Sequence, residues 1–206
     1  AAVLGGLGSD RTAQRLALNL AIAFMPLAVL GLLFQKAIKA HLFKPLPVAA
    51  AFIVGAFVIL WAEKRQHRIR VDNVDDLTPL DALKLGCAQA LALIPGTSRS
   101  GATIIGGLLF GLSRKTAAEF SFFLAIPIMF AATFYDLYRH QEFVHLDDLA
   151  MFMVGALAAF ISALIAIRGL MRYISNHDFT LFAWYRIGFG LLILLTAYTG
   201  IINWSE

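Results

Sequence analysis

Charge is scarce in this 206-residue chain: Asp, Glu, Lys and Arg make up 15% of it, while apolar residues make up 60%. Soluble domains carry about 25% charged and about 45–50% apolar residues, so a soluble enzyme with an ordinary polar surface is excluded. Cysteine is nearly absent as well, and Cys87 alone cannot form an internal disulfide. The five histidines (His41, His67, His140, His145 and His177) are expected in loops, and none joins acids at metal-ligand spacing, so no metal ligands are expected within this chain. A P-loop, a dinucleotide fingerprint and a heptad array are missing too. The net charge of +4 does not point to nucleic acid. Its Lys and Arg residues fall in the gaps between apolar runs, the pattern of membrane-protein loops.

Long apolar runs are what the sequence has. With a mean hydropathy of +0.77 it reads as an all-α polytopic membrane protein. Five runs suit spanning helices: Leu16–Phe34, Pro47–Ala62, Ala117–Tyr138, Leu149–Leu170 and Phe179–Ile202. Most are near the roughly 20 residues that cross about 30 Å of hydrocarbon. The pattern Thr116-x-x-Glu119 predicts a capping box opening the third of these. Ala1–Gly8 is short and apolar without a basic leader, so it reads as the tail of a longer apolar segment rather than a signal peptide. Residues 1–206 are read as a single membrane domain.

Ala82–Leu112 breaks the pattern. Its two apolar arms, Ala82–Ile94 and Gly101–Leu112, flank Pro95–Ser100. Each arm reaches only about 20 Å as a helix, too short to cross alone. A re-entrant hairpin there would place eleven Lys and Arg residues on one side, against Lys36, Lys39, Lys44 and Arg139 on the other. A single crossing would split them eight to seven. A strong Lys/Arg bias marks the cytoplasmic side, so the re-entrant hairpin is favoured, with the C-terminus outside.

The break also carries the chemistry. Pro95 ends the incoming helix, and Gly96 and Gly101 allow a turn and a close approach to a ligand. Ser98 or Ser100 can cap the outgoing helix, whose N-terminus is an anion site. Arg99 adds a full charge and a planar fork suited to phosphate oxygens. Thr97, Ser98, Ser100 and Thr103 offer hydroxyl donors, and Gln89 lies in the incoming arm. An arginine at membrane depth costs about 2.5 kcal/mol or more and marks a functional site by default. Arg186, inside Trp184-Tyr185-Arg186, is a second buried cation, and two readings stay open for it: snorkelling to the interface, or reaching the site. Glu119 and Asp136 read as a helix cap and an interfacial acid.

The run Gly86–Thr103, with its core Pro95-Gly96-Thr97-Ser98-Arg99-Ser100-Gly101, resembles the second signature of the undecaprenyl-diphosphatase (bacitracin-resistance) family. The likeness continues through Gly111–Arg114, Ala118–Pro127, Ala163–Ile167 and Phe182-x-x-Tyr185-Arg186. The resemblance implies hydrolysis of undecaprenyl diphosphate to the monophosphate and phosphate, recycling the lipid carrier for peptidoglycan synthesis. It implies six spans and two re-entrant hairpins in an inverted repeat, in a bacterial inner membrane with the site facing the periplasm. It also implies dependence on a divalent cation, Mg or Ca. The family's arginine falls on Arg99, its serines on Ser98 and Ser100, and a site threonine on Thr103. Thr97, Gly101, Gln89 and Arg186 are taken as substrate-binding, with the bilayer and a second copy of the chain as further partners. The family's first signature, two glutamates followed by Pro-Val-Ser-Ser-Thr-Gly-His, does not occur here. The chain is therefore expected to hold half of the site and to be inactive alone. A transporter or flippase of lipid-linked phosphate is the alternative, binding at the same arginine without cleavage.

Overall fold

The computed structural model describes residues 10–65, 68–139, 149–174, 176–200 and 202; Ala1–Gly8, His67, His140 and His145 lie outside these. Among the described residues seven α-helices follow in order: α1 (Arg11–Leu42), α2 (Pro45–Lys64), α3 (Pro79–Ala90), α4 (Arg99–Leu109), α5 (Arg114–Arg139), α6 (Leu149–Ile174) and α7 (Thr180–Thr199). Among the described residues there is no strand. Five of the helices, α1, α2, α5, α6 and α7, are long and apolar enough to span a membrane. The protein is thus an all-α polytopic membrane protein, and its spans fall where the apolar runs placed them.

Helix boundaries follow local chemistry. Asp10 caps α1, its carboxylate accepting from the Thr12 N–H at 2.9 Å. The helix then runs beyond Phe34 through Lys36 and Lys39, since no breaker occurs before Pro45. His41 therefore lies in the last turn of α1, not in a loop. The expected cap of α5 is also displaced. That helix opens at Arg114, and the Ser113 hydroxyl accepts from the Thr116 N–H at 3.3 Å. Thr116 is buried inside the first turn, and Glu119 faces Lys115 one turn away. Ser113 lies one turn before Thr116 and offers the same hydroxyl, so the window was right and the register was not. A true capping box opens α3, where Thr78 and Asp81 exchange side-chain and backbone hydrogen bonds.

Helices α3 and α4 form a hairpin. A single 3-10 turn, Leu91–Leu93, and the tight turn after it reverse the chain. The arms then pack closely through glycine: a Cβ on Gly106 would lie 2.6 Å from Ala88 Cβ, and one on Gly107 would lie 3.4 Å from Leu85. The base of the hairpin is tied shut. Gly111, with φ of +88°, turns its carbonyl to the N–H groups of Arg70 (2.7 Å) and Val71 (3.1 Å). Ser113 N–H returns a bond to the Val71 carbonyl at 3.0 Å. Entry and exit of the hairpin thus meet at one end of the bundle. The same end gathers the C-terminus of α2 and the starts of α5 and α7. There Glu63 pairs with Arg114 and accepts from Phe179 N–H at 3.1 Å.

The hairpin is seated against α1 and α5. Gly86 lies against α1, where a Cβ would come within 2.4 Å of the Ala23 carbonyl. Leu85, Leu108, Leu112, Phe120 and Leu124 fill the core beside it. Helix α2 packs on α7 by the same device, Gly190 against Ala49 and Ile53. Apolar residues such as Met151, Val154 and Ile165 stay exposed along α6, as lipid-facing positions do.

Asp81 anchors the hairpin base: its carboxylate binds Arg70, the Thr78 hydroxyl at 2.6 Å and the Thr78 N–H at 3.2 Å. Burial pushes its pKa up, but the hydrogen bonds from Arg70 and Thr78 outweigh this and hold it below the ordinary value of 3.8. A lowered folded-state pKa means that the unfolded chain binds the proton first, so this stability is fully present above about pH 4 and is lost as pH falls through the folded pKa. Thermal unfolding in detergent from pH 7 to pH 3 should show a decline beginning below about pH 4. Asp81→Asn should lower the midpoint at neutral pH and flatten that decline.

Candidate functional site

The tip of the hairpin is built from Pro95 to Ser98. Gly96 has φ of +92°, open to glycine at little cost, and its place against α2 leaves no room for a side chain. A Cβ there would lie 2.5 Å from the Val48 carbonyl. Thr97 N–H closes the turn on the Ile94 carbonyl at 3.0 Å. Ser98 then caps α4, its hydroxyl accepting from Gly101 N–H at 3.1 Å, and lies 3.3 Å from the Ser100 hydroxyl. The outgoing helix therefore begins at Arg99, and of the two serines it is Ser98 that caps it.

Thr97, Ser98, Ser100, Gly101 and Arg186 line a cavity of about 460 Å³, walled by Phe52, Ile104, Phe179, Phe182 and Tyr185. A second, larger and mostly apolar groove of about 870 Å³ runs between α2 and the hairpin arms. The two share Thr97, Ser98, Gly101 and Arg186. Cys87 lines the groove.

Arg186 reaches across from α7 and is 7% exposed, so it does not snorkel. Its Nη2 donates to two backbone carbonyls, Gly96 at 3.0 Å on the hairpin tip and Ala51 at 3.1 Å on α2. The guanidinium lies 5.0 Å from the Phe52 ring centre, over bare Gly55. This one side chain ties α7, α2 and the tip together and also borders both cavities. Its Nε has no hydrogen-bond partner.

Arg99 points elsewhere. It lines neither cavity. Its Nη1 donates to Gln89 Oε1 at 3.4 Å in the incoming arm and to the Ser121 carbonyl at 3.3 Å on α5. Thr103 is fully buried, and its hydroxyl donates back to the Arg99 carbonyl at 3.0 Å, fixing the first turn of α4 instead of facing a ligand. The residues singled out from sequence thus divide around the start of α4. The serines, Thr97, Gly101 and Arg186 lie on one side, and Arg99, Gln89 and Thr103 on the other. Ser121 joins the second group, and its sequence position within an apolar run gave no signal of it beyond being polar.

The helices and this polar tip define a class: a multi-pass membrane protein whose broken hairpin presents hydroxyls, a helix N-terminus and two arginines inside an apolar bundle. The sequence matches the family described as bacitracin resistance protein BacA over residues 2–192, and the chain belongs to that family. It is 73% identical over 203 residues to an undecaprenyl-diphosphatase of Nitrosomonas eutropha, covering 98% of this chain and 74% of that protein. It is 68% identical to the undecaprenyl-diphosphatase of Nitrosomonas europaea and 64% identical to that of Nitrosospira multiformis, with the same coverage.

The packing of Arg186 over Gly55 can be tested directly. A Cβ at position 55 would lie 2.5 Å from Nη2, and the flexible guanidinium is what yields. Gly55→Ala should leave the bundle folded but break the bonds to Gly96 and Ala51. Amide exchange at Gly96–Ser98 should rise, while that of the core positions on α5 stays unchanged. Arg186→Met should loosen the same turn and cost about 2 kcal/mol, the scale of a charge-assisted hydrogen bond.

Proposed function

We propose that this protein hydrolyses undecaprenyl diphosphate to undecaprenyl phosphate and inorganic phosphate. What carries the reading is membership of a family whose close relatives bear that activity in their names, joined to a cationic, hydroxyl-rich turn held inside a spanning bundle. Phosphoryl transfer spreads negative charge over equatorial oxygens, so catalysis is mostly positioning and electrostatic stabilisation. In this proposal Arg99 and the N-terminus of α4 hold the diphosphate. Ser98 and Ser100 donate hydrogen bonds from the cavity side, and Arg186 fixes the turn that carries them. Among the described residues no base contacts either serine, which favours binding over a nucleophilic role for them. The groove of about 870 Å³ is continuous with this polar end through Thr97 and Ser98 and suits the prenyl chain.

The divalent cation that the family resemblance implies finds no seat in what is described: no cluster of three His, Cys, Asp or Glu among the described residues could hold one. We further propose that the hairpin is re-entrant in the bacterial plasma membrane. Its tied base would lie at the basic, cytoplasmic face, and its tip would open toward the periplasm. The common end of α2, α5 and α7 at Glu63, Arg114 and Phe179 supports that arrangement.

In the full-length protein, Arg99→Ala should reduce phosphate release from undecaprenyl diphosphate by roughly 100-fold or more, the range for losing a preorganised donor to transition-state charge. Unchanged turnover would overturn the assignment. Lipid-diphosphate binding with no phosphate release by the unmodified protein would instead favour a carrier. Cys87 is the sequence's one cysteine and lines the proposed tail groove, so a polyprenyl phosphate should slow its labelling by a maleimide.

A further inference from the structure

The side of α4 facing α5 holds more hydrogen-bond donors than acceptors. Gln89 and Ser121 are both 0% exposed, and in each of them one polar atom has no partner, Gln89 Nε2 and Ser121 Oγ. The two carbonyl-type oxygens of the cluster are already committed. Gln89 Oε1 and the Ser121 carbonyl both accept from Arg99 Nη1, at 3.4 and 3.3 Å. Thr103 Oγ1 donates to the Arg99 carbonyl. Arg99 brings a full positive charge, and no carboxylate among the described residues pairs with it. Orphaned polar atoms in a dry interior are costly, and a charge without a counter-charge more so.

Ser121 is unusual within this same protein. A helical Ser or Thr can discharge its hydroxyl onto the carbonyl one turn back. Thr103, Ser162, Thr196 and Thr199 all do so here, at 2.8–3.0 Å. Ser121 does not, although it lies in the middle of a continuous helix. Its hydroxyl is left without a partner beside the Arg99 guanidinium, whose Nη1 donates to the Ser121 carbonyl. A group of N–H and O–H donors around an unpaired cation asks for a partner made of acceptors and carrying negative charge.

We infer that Ser121, Gln89 and Arg99 form a phosphoryl-oxygen site on the α5 side of the hairpin, and that Ser121 is a further substrate-contacting residue. This rests on the diphosphatase reading and deepens it. Ser98 and Ser100 face the cavity, and Ser121 and Gln89 flank Arg99 opposite. Ser121 Oγ and Gln89 Nε2 then donate to oxygens of one phosphoryl group while Arg99 neutralises it.

The test uses the full-length protein in detergent, with inorganic diphosphate as probe and undecaprenyl diphosphate as substrate. Because Ser121 Oγ has no partner in the free protein, Ser121→Ala should leave its ligand-free thermal midpoint unchanged or raise it. The same variant should bind inorganic diphosphate roughly 10- to 100-fold more weakly, the loss expected for one hydrogen bond to a charged group, and should raise KM for the lipid. Gln89→Glu should place a carboxylate on Arg99, abolish diphosphate binding at neutral pH, and regain part of it on acidification. Gln89→Leu should show no such recovery. Wild-type affinity in Ser121→Ala would overturn the site, leaving the orphaned atoms to water. Hydrolysis by the unmodified protein together with that result would sink this inference and spare the proposed function. Diphosphate binding that depends on Ser121, without any phosphate release from the lipid, would do the reverse.

Discussion

A break between two helices inside an apolar bundle exposes backbone groups that the protein must satisfy itself, and the hydrogen bonds from Arg186 to the carbonyls of Gly96 and Ala51 answer that constraint. The turn needs Gly96 for its positive φ and for its contact with Val48. That seat leaves the Gly96 carbonyl pointing into the bundle, where a fixed cationic donor meets it. To let the guanidinium in, α2 must be bare at Gly55. To bring α7 near enough, Gly190 must lie against Ala49 and Ile53. One buried arginine thus accounts for several small residues on two neighbouring helices. The position of Ser98, and through it the start of α4, follows from the same contacts.

The base of the hairpin obeys a different economy. There the segment around Val71 pairs with Gly111 and Ser113, and Asp81, Glu63, Arg70 and Arg114 complete the closure with charge. Charged pairs are affordable at this end because the Arg partners remain half or nearly half exposed. At the tip, by contrast, Arg186 is buried and meets two backbone carbonyls and the Phe52 ring. Charge is therefore paired where water is near and matched to dipoles where it is not.

Much of this was legible before the fold was known. Apolar run length located the spans, and Pro95 and Gly96 located the break between α3 and α4, because these are local properties of the chain. The cap of α5 was misplaced by three residues because two hydroxyl residues one turn apart, Ser113 and Thr116, compete for the same role. Arg186 was recognisable as a buried cation, but its partners lie 90 and 135 residues away, and no local pattern encodes a carbonyl at that distance. The direction of Arg99 was equally hidden. The side of α4 on which its fork falls depends on how α5 packs against the hairpin.

That packing separates the two arginines by function. Both are cations in an apolar setting, yet Arg186 spends one nitrogen on backbone carbonyls that no substrate replaces. Among the described residues Arg99 makes two hydrogen bonds, each longer than 3.2 Å, to groups that also hold unpartnered polar atoms. A residue that stabilises the resting fold should commit donors there, as Arg186 does with Nη2 though not with Nε. A residue that waits for an anion should not, because donors already well paired have nothing left to offer as charge develops. The long bonds and unpartnered atoms around Arg99 are therefore what the proposed anion site rests on, and the Arg186 bonds to Gly96 and Ala51 hold the turn beside it in place.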